Sequence, residues 1–240
     1  MSILCRGVLL IALAVAGCSA AKEMPVRLIE RPLTLHKGMA EVEAGLGVQL
    51  KDDAKRDIVG RLGMALGERG WRYGLTDRVT WSIPTGLRYA VKTSHGEGTD
   101  VALNFGFLPV VMARRGTMLV TSLGAMVKIR LSRQLWIDQL ANVVVLRHFD
   151  GAFFFGGTLS ASLAQQISDM FSMRLGMLAE RTLGLTTLTS RPIDSLSVVG
   201  RANWTLAAAI DLHCTAGGRV TIGETPKQVP FVTVGVTLRW

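Results

Sequence analysis

The 240-residue chain is 49% hydrophobic, 19% charged and 6% aromatic, with a formal net charge of +9. This composition excludes a disordered chain, and its apolar residues are too dispersed for a bundle of membrane helices. One physical solution is an apolar surface built by alternation, meaning strands in a membrane, with the 26 glycines in turns and on crowded inward faces.

Residues Met1 to Ala20 place Arg6 before a short apolar run, Val8 to Ala16, followed by small residues. That is the layout of a secretory signal, and the run is too short to cross a bilayer as a helix. Val15-Ala16-Gly17-Cys18 resembles the lipobox of bacterial lipoproteins, which implies that Cys18 becomes the lipidated first residue. Small side chains fit a narrow peptidase pocket, and the thiol is the nucleophile that takes up the lipid. Cleavage near Ala20 or Ala21 is the alternative, since Cys18-Ser19-Ala20 also fits a small-x-small site. Beyond Cys5 and Cys18 only Cys214 remains, so no intramolecular disulfide framework is available. No His/Cys/Asp cluster has zinc-ligand spacing, and neither a metal nor a cofactor is expected.

After a linker, Ala40–Leu50 alternates: Ala40, Val42, Ala44, Leu46, Val48 and Leu50 on one face, Glu41, Glu43 and Gln49 on the other. Eleven residues of period 2 is long for a soluble strand. Leu62–Thr76 is less regular, with Trp71, Tyr73 and Leu75 in phase. Val79–Val91 is interrupted by Pro84, which removes a ladder donor and implies a bend or bulge. Alternation returns around Val101–Phe107, Leu119–Leu131, Phe153–Leu163, Phe171–Met177 and Trp204–Leu212. Ala164–Ala179 also reads as a short helix, but the Phe171/Met173/Leu175/Met177 spacing favours strand. Lys51–Gly60, Thr93–Asp100, Arg181–Ser195 and Ala216–Gln228 read as connections. Trp71, Tyr73, Trp81, Trp136 and Trp240 lie near expected strand ends, as in an interfacial aromatic girdle.

Three segments share one form: Leu75–Trp81, Leu131–Ile137 and Ile167–Met173. Each is apolar, hydroxyl, charged, variable, then apolar residues two apart, which favours a tight solvated turn. With these elements an odd number of strands separates the first two, so both cannot lie at one end of a barrel.

The last run, Val232, Val234, Val236, Leu238 and Trp240, resembles the C-terminal signature of bacterial outer-membrane β-barrels. The resemblance implies an all-β, antiparallel transmembrane barrel, here of about ten strands within a range of eight to twelve. It also implies recognition of the strand ending at Trp240 by the barrel-assembly machinery, and a bacterial outer-membrane location. The domain reading is a signal peptide over 1–17, an N-terminal linker lipid-anchored through Cys18 over 18–38, and the barrel over 39–240.

Chemistry is sparse. His36, His95, His148 and His213 are widely separated, and adjacent Ser94 and His95 would point to opposite faces of a strand. A nucleic-acid reading of the basic balance would want a basic stripe on a soluble domain, and export argues against it. Lys and Arg at the rim suit lipid and lipopolysaccharide phosphates, and those in the lumen favour anions. Arg72, Arg88, Lys128, Arg130, Arg174, Arg201 and Arg239 are inward candidates, with Glu41, Glu43 and Asp211 as partners. The expected function is a structural barrel or a narrow pore for small solutes, not an enzyme. The alternatives are a soluble periplasmic lipoprotein binding an apolar ligand in a β-sandwich or lipocalin-like domain, and a barrel-embedded hydrolase.

Overall fold

The computed structural model describes residues 24–50, 56–59, 71–83, 86–94, 98–112, 116–148, 153–184, 193–222 and 227–240. The strands are β1 (Ala40–Leu50), β2 (Arg56–Val59), β3 (Trp71–Thr76), β4 (Val79–Ile83), β5 (Gly86–Lys92), β6 (Gly98–Met112) and β7 (Gly116–Arg130). They continue with β8 (Leu135–His148), β9 (Phe153–Gln166), β10 (Phe171–Gly184), β11 (Ile193–Ala207), β12 (Ile210–Ile222) and β13 (Lys227–Arg239). Successive strands pair antiparallel, and β13 pairs back to β1 from Glu41↔Arg239 to Gln49↔Phe231, closing the sheet. Pairing of the first strand with the last is the closure that membrane strands require.

The closed ring has twelve positions rather than about ten. β2 pairs with Gly47–Leu50 and β3 with Ala40–Glu41, so the two short strands together fill one position beside β1. The run Trp204–Leu212 is two strands, β11 and β12, joined across Ala208–Ala209, with Ala207↔Ile210 paired. The two-residue turn alone would invert the parity of the faces, and the extra residue at the bulge between Thr205 and Ala207 restores it: Trp204 and Leu212 pair and both point outward, so the alternation reads straight through. Val79–Val91 is likewise a hairpin, with Ser82 paired to Gly86, and Pro84 lies outside the described residues. Strand β8 and the greater part of β11 lie where no strand was expected.

The inward and outward faces invert the usual order of a soluble protein. Leu46 (66% exposed), Leu123, Leu159, Leu163, Leu175, Val198 and Val234 all face outward. Buried positions are instead dominated by polar side chains, among them Glu41, Asp100, Lys128, Arg130, Asn203, Asp211, His213 and Arg239. An apolar exterior around a polar lumen is the arrangement of a transmembrane barrel. Tyr73 and Trp81 are cross-strand partners on the outside, Phe171 packs on Trp204, and Trp71 meets Trp240 edge-on at 5.8 Å. Trp136 departs from the expected girdle: it points inward and is 1% exposed.

All three repeated turns lie at one end, because four strands separate the first two and two strands the second and third. In each, the hydroxyl oxygen accepts amides across the turn: Thr76 from Arg78 and Val79, Ser132 from Gln134 and Leu135, Ser168 from Phe171. This local cap explains the shared sequence form. The expected parity conflict arose from merging β4 with β5 and is removed by separating them.

A polar lumen closed by an N-terminal plug

Residues 24–39, expected to be a linker, run inside the barrel at the end that carries the three turns. Met24, Ile29, Arg31, Thr34, Leu35 and Met39 are all buried. The segment includes Pro25 and Pro32 and forms no strand of its own, so its backbone groups need other partners. The barrel wall supplies them. Lys128 Nζ donates to the carbonyls of Leu28 and Arg31 at 2.8 and 2.9 Å. Arg130 Nε donates to Ile29 O at 2.7 Å, and the Ile29 amide donates to Gln166 Oε1 at 3.3 Å. An Arg88 guanidinium N–H donates to Leu33 O at 3.0 Å, Thr34 Oγ1 to Asp77 O, and the Leu35 amide to Thr80 Oγ1. Apolar contacts are fewer: Ile29 packs with Trp136 and Ala164, and Met24 with Leu35 and Met39. Trp136 faces inward because the plug gives it an apolar partner and Asp138 Oδ2 accepts its indole N–H at 2.9 Å.

The segment leaves the lumen through a fixed turn. Gly38 has φ +80°, and its amide donates to Gly74 O while Gly74 N donates to Met39 O, both at 2.8 Å. A β-carbon at Gly74 would overlap the His36 carbonyl, so glycine is what allows this close approach. Outside the barrel wall's strands, the Lys37 amide donates to Asp77 Oδ1 at 2.9 Å and His36 Nδ1 lies 3.7 Å from the same oxygen. That amide, aided by His36 and Lys37, holds the Asp77 carboxyl below its ordinary range.

Arg31 is the centre of the charge network. It forms a two-point pair with Asp211 at 2.6 and 3.1 Å and donates to the Pro25 and Val26 carbonyls. Burial lowers the Arg31 pKa most, the neighbouring Arg239 adds to that, and Asp211 opposes both. Arg239 bridges Asp211 at 2.6 Å and Glu41 at 2.8 Å, and Glu41 also pairs with Arg72. A second cluster joins Asp100, Arg130 and Ser94. Buried carboxylates are therefore matched by guanidinium groups, as desolvation demands.

Beyond the plug lies a cavity of about 490 Å³. Seven cations line it (Arg31, Arg72, Arg88, Lys128, Arg174, Arg201, Arg239) against four carboxylates (Glu41, Glu43, Asp138, Asp211). Asn104, Asn142, Asn203, Ser122 and Thr158 complete the polar wall, and a β-carbon at Gly124 would collide with the Asn142 side chain. Leu87, Phe105 and Phe107 also border the cavity where Gly86 pairs with Gly106.

The structure brings together the inward residues expected from sequence: Glu41 with Arg72 and Arg239, Glu43 with Arg201, Asp211 with Arg239. It adds Arg31, Asp100 and Asp138, which the sequence reading did not pick out. Asp138 sits on the missed strand β8 and pairs with Arg174 at 2.7 Å. Arg31 carries no periodic signal that could have marked it. His213 faces the lumen with Nε2 at 3.3 Å from Glu43, and Ser94 is tied to Asp100. Cys18, the lipidation candidate, lies outside the described residues, as do His95, Arg114, Arg115 and the side chain of His148. Among the described residues, no group of three or more His, Cys, Asp or Glu side chains could hold a metal ion.

No protein-family model matches the sequence, and no curated protein matches it. The fold has solved counterparts. The COG4313 outer membrane channel from Pseudomonas putida F1 superposes with a TM-score of 0.61 at 11% identity, over 86% of this chain and 97% of that one. A loop-deletion form of OmpT, an outer membrane protein of Vibrio cholerae, gives 0.51 at 7% identity, over 84% and 98%. The chain therefore has the fold of an outer-membrane β-barrel.

Proposed function

We propose that the protein is a bacterial outer-membrane barrel that serves as a narrow pore for small polar solutes, closed by its own N-terminal segment. The observation that carries this reading is the plug. Residues 24–39 occupy one end of a polar lumen and are held there by hydrogen bonds to side chains rather than by a continuous strand, above a cavity large enough for a small solute. A purely structural barrel has no need of a polar cavity behind a separately held segment. The reading as a soluble carrier of an apolar ligand is disfavoured by the inverted faces: the apolar side chains point out and the cavity is charged.

The end with the short turns and the plug is assigned to the periplasm, since short turns face that side in bacterial barrels. Export through residues 1–17 and lipidation at Cys18 agree with that orientation. Five residues lie between Cys18 and Met24, and an extended chain covers ~3.3–3.6 Å per residue, which sets the reach of such an anchor. The test is the refolded full chain in lipid. It should migrate differently before and after boiling on a denaturing gel and should give discrete single-channel currents in planar bilayers. A protein released by carbonate, with no heat-dependent shift and no current, contradicts the proposal.

A further inference from the structure

Residues 28–31 are held in the way a receptor holds a peptide. Ile29 is gripped through both main-chain groups: its amide donates to Gln166 Oε1 at 3.3 Å and its carbonyl accepts from Arg130 Nε at 2.7 Å. Lys128 Nζ donates to the carbonyls of Leu28 and Arg31. Two side-chain subsites, two residues apart, add selectivity. The Ile29 side chain enters an apolar recess of Trp136 and Ala164 and is buried there. The Arg31 guanidinium forms its two-point pair with Asp211, and Thr205 Oγ1 accepts from it at 3.4 Å. Glu30, between them, is exposed. Main-chain contacts admit any sequence, so the two subsites decide what fits: an apolar residue followed two places on by arginine.

The groove does not depend on its occupant. Arg130 keeps Asp100 at 2.8 Å, Asp211 keeps Arg239 at 2.6 Å, and Gln166 Nε2 keeps Ser168 O at 2.6 Å. Lys128 stands in register between Asp100 on β6 and Asp138 on β8. The Trp136 indole N–H stays on Asp138 Oδ2, and the Lys128 ammonium lies 5.5 Å from the centre of that ring. Each charged group of the groove therefore retains a counter-charge on the wall when residues 28–31 leave, and the site stays formed.

We propose that this groove is a binding site for a peptide in trans: an extended, free segment of a periplasmic protein that carries an apolar residue and, two places on, an arginine. The periplasmic source rests on the orientation proposed above, whereas the groove is defined by its contacts alone. The chain's own segment is then a resident competitor. It is continuous with β1, which gives it an effective concentration of about a millimolar. A second copy exchanging segments would give up that advantage in its own barrel and gain no new contact. A free segment of another protein gives up nothing.

The probe is a capped, fluorescent peptide with the sequence of Pro25–Leu33, titrated by anisotropy into the full chain refolded in detergent. The Arg31→Ala chain should bind it about tenfold or more tightly than the wild type, because the resident segment vacates the groove more often. Peptides carrying Ile29→Ser or Arg31→Ala should bind that chain about tenfold more weakly. Adding Asp211→Asn to the chain should abolish the difference between the arginine and alanine peptides while compact gel mobility is kept. If that variant does not fold, the two peptide substitutions alone decide. Binding that ignores both peptide substitutions, or that is no tighter to Arg31→Ala than to the wild type, overturns the site. A folded barrel that conducts but binds no peptide overturns the site and leaves the pore reading intact. One that binds the peptide and gives no current keeps the site and refutes the pore. Dimers with exchanged segments, seen as a doubled mass by light scattering without peptide, would assign the groove to a second copy and overturn the partner.

Discussion

Replacing Arg31 with alanine should loosen the plug without opening the barrel wall. The guanidinium group donates twice to Asp211, at 2.6 and 3.1 Å, and is almost fully buried. Charged hydrogen bonds of this kind contribute about 1.5–3 kcal/mol each, and stranding a buried charge costs about 3–5 kcal/mol. Asp211 is not stranded, because Arg239 stays 2.6 Å away. The net loss in docking should therefore be about 2–3 kcal/mol, near the value of one such bond. At 1.4 kcal/mol per tenfold, that is a ~30- to 140-fold rise in the undocked fraction. The strand ladder from β1 to β13 does not involve Arg31, so heat-modifiable mobility should be kept. Trypsin cutting at Arg27 and Lys37 in detergent-solubilised barrel reports the undocked population when opening is fast, and channel open time should rise with it. Equal cutting rates and equal currents in a variant that remains folded would refute the role given to Arg31.

Other expectations follow from single contacts. Gly74→Ala forces a β-carbon against the His36 carbonyl, so the 36–39 turn should undock and Lys37 should become protease-sensitive while β3–β4 pairing persists. The Asp77 carboxyl is held below its ordinary value of 3.8 by the Lys37 amide. Its contribution to docking is present above about that pH and is lost as pH falls through the lowered value, so acid should speed Lys37 cutting in the wild type and much less in Asp77→Asn. Leu159, 62% exposed at the middle of β9, faces lipid. Leu159→Arg should cost about 2–4 kcal/mol in refolding titrations into vesicles if it lies near the midplane, and a cost near zero would place that face away from hydrocarbon.

The barrel class was readable because period 2 runs unbroken through strands such as Ala40–Leu50, with Glu41 inward and Leu46 outward. Strand β8 was unreadable for a physical reason. Trp136 and Leu140 face the lumen and Gln139 faces outward, so neither side is uniformly polar or apolar. Part of that disorder in the pattern comes from the plug, which rewards an inward tryptophan through Ile29. The plug itself is held largely through the carbonyls of Leu28, Ile29, Arg31 and Leu33. Carbonyls are common to every residue, so no side-chain pattern announces the segment and it reads as a linker. The lumen pairs around Glu41 and Asp211 were legible in residue type, since charged residues on a barrel strand must point inward and find partners. Their third member, Arg31, was not.

The central claim is that residues 24–39 control passage through the lumen, and tethering them tests it most directly. Arg27 lies 3.5 Å from Asp169 on the β9–β10 turn. In an Arg31→Ala background with Cys5, Cys18 and Cys214 replaced by alanine, Arg27→Cys and Asp169→Cys can be joined by a short reducible thiol cross-linker. The plugged-pore account predicts that cross-linking suppresses the single-channel current and that reduction restores it. A current of unchanged size and open time after complete cross-linking would contradict it.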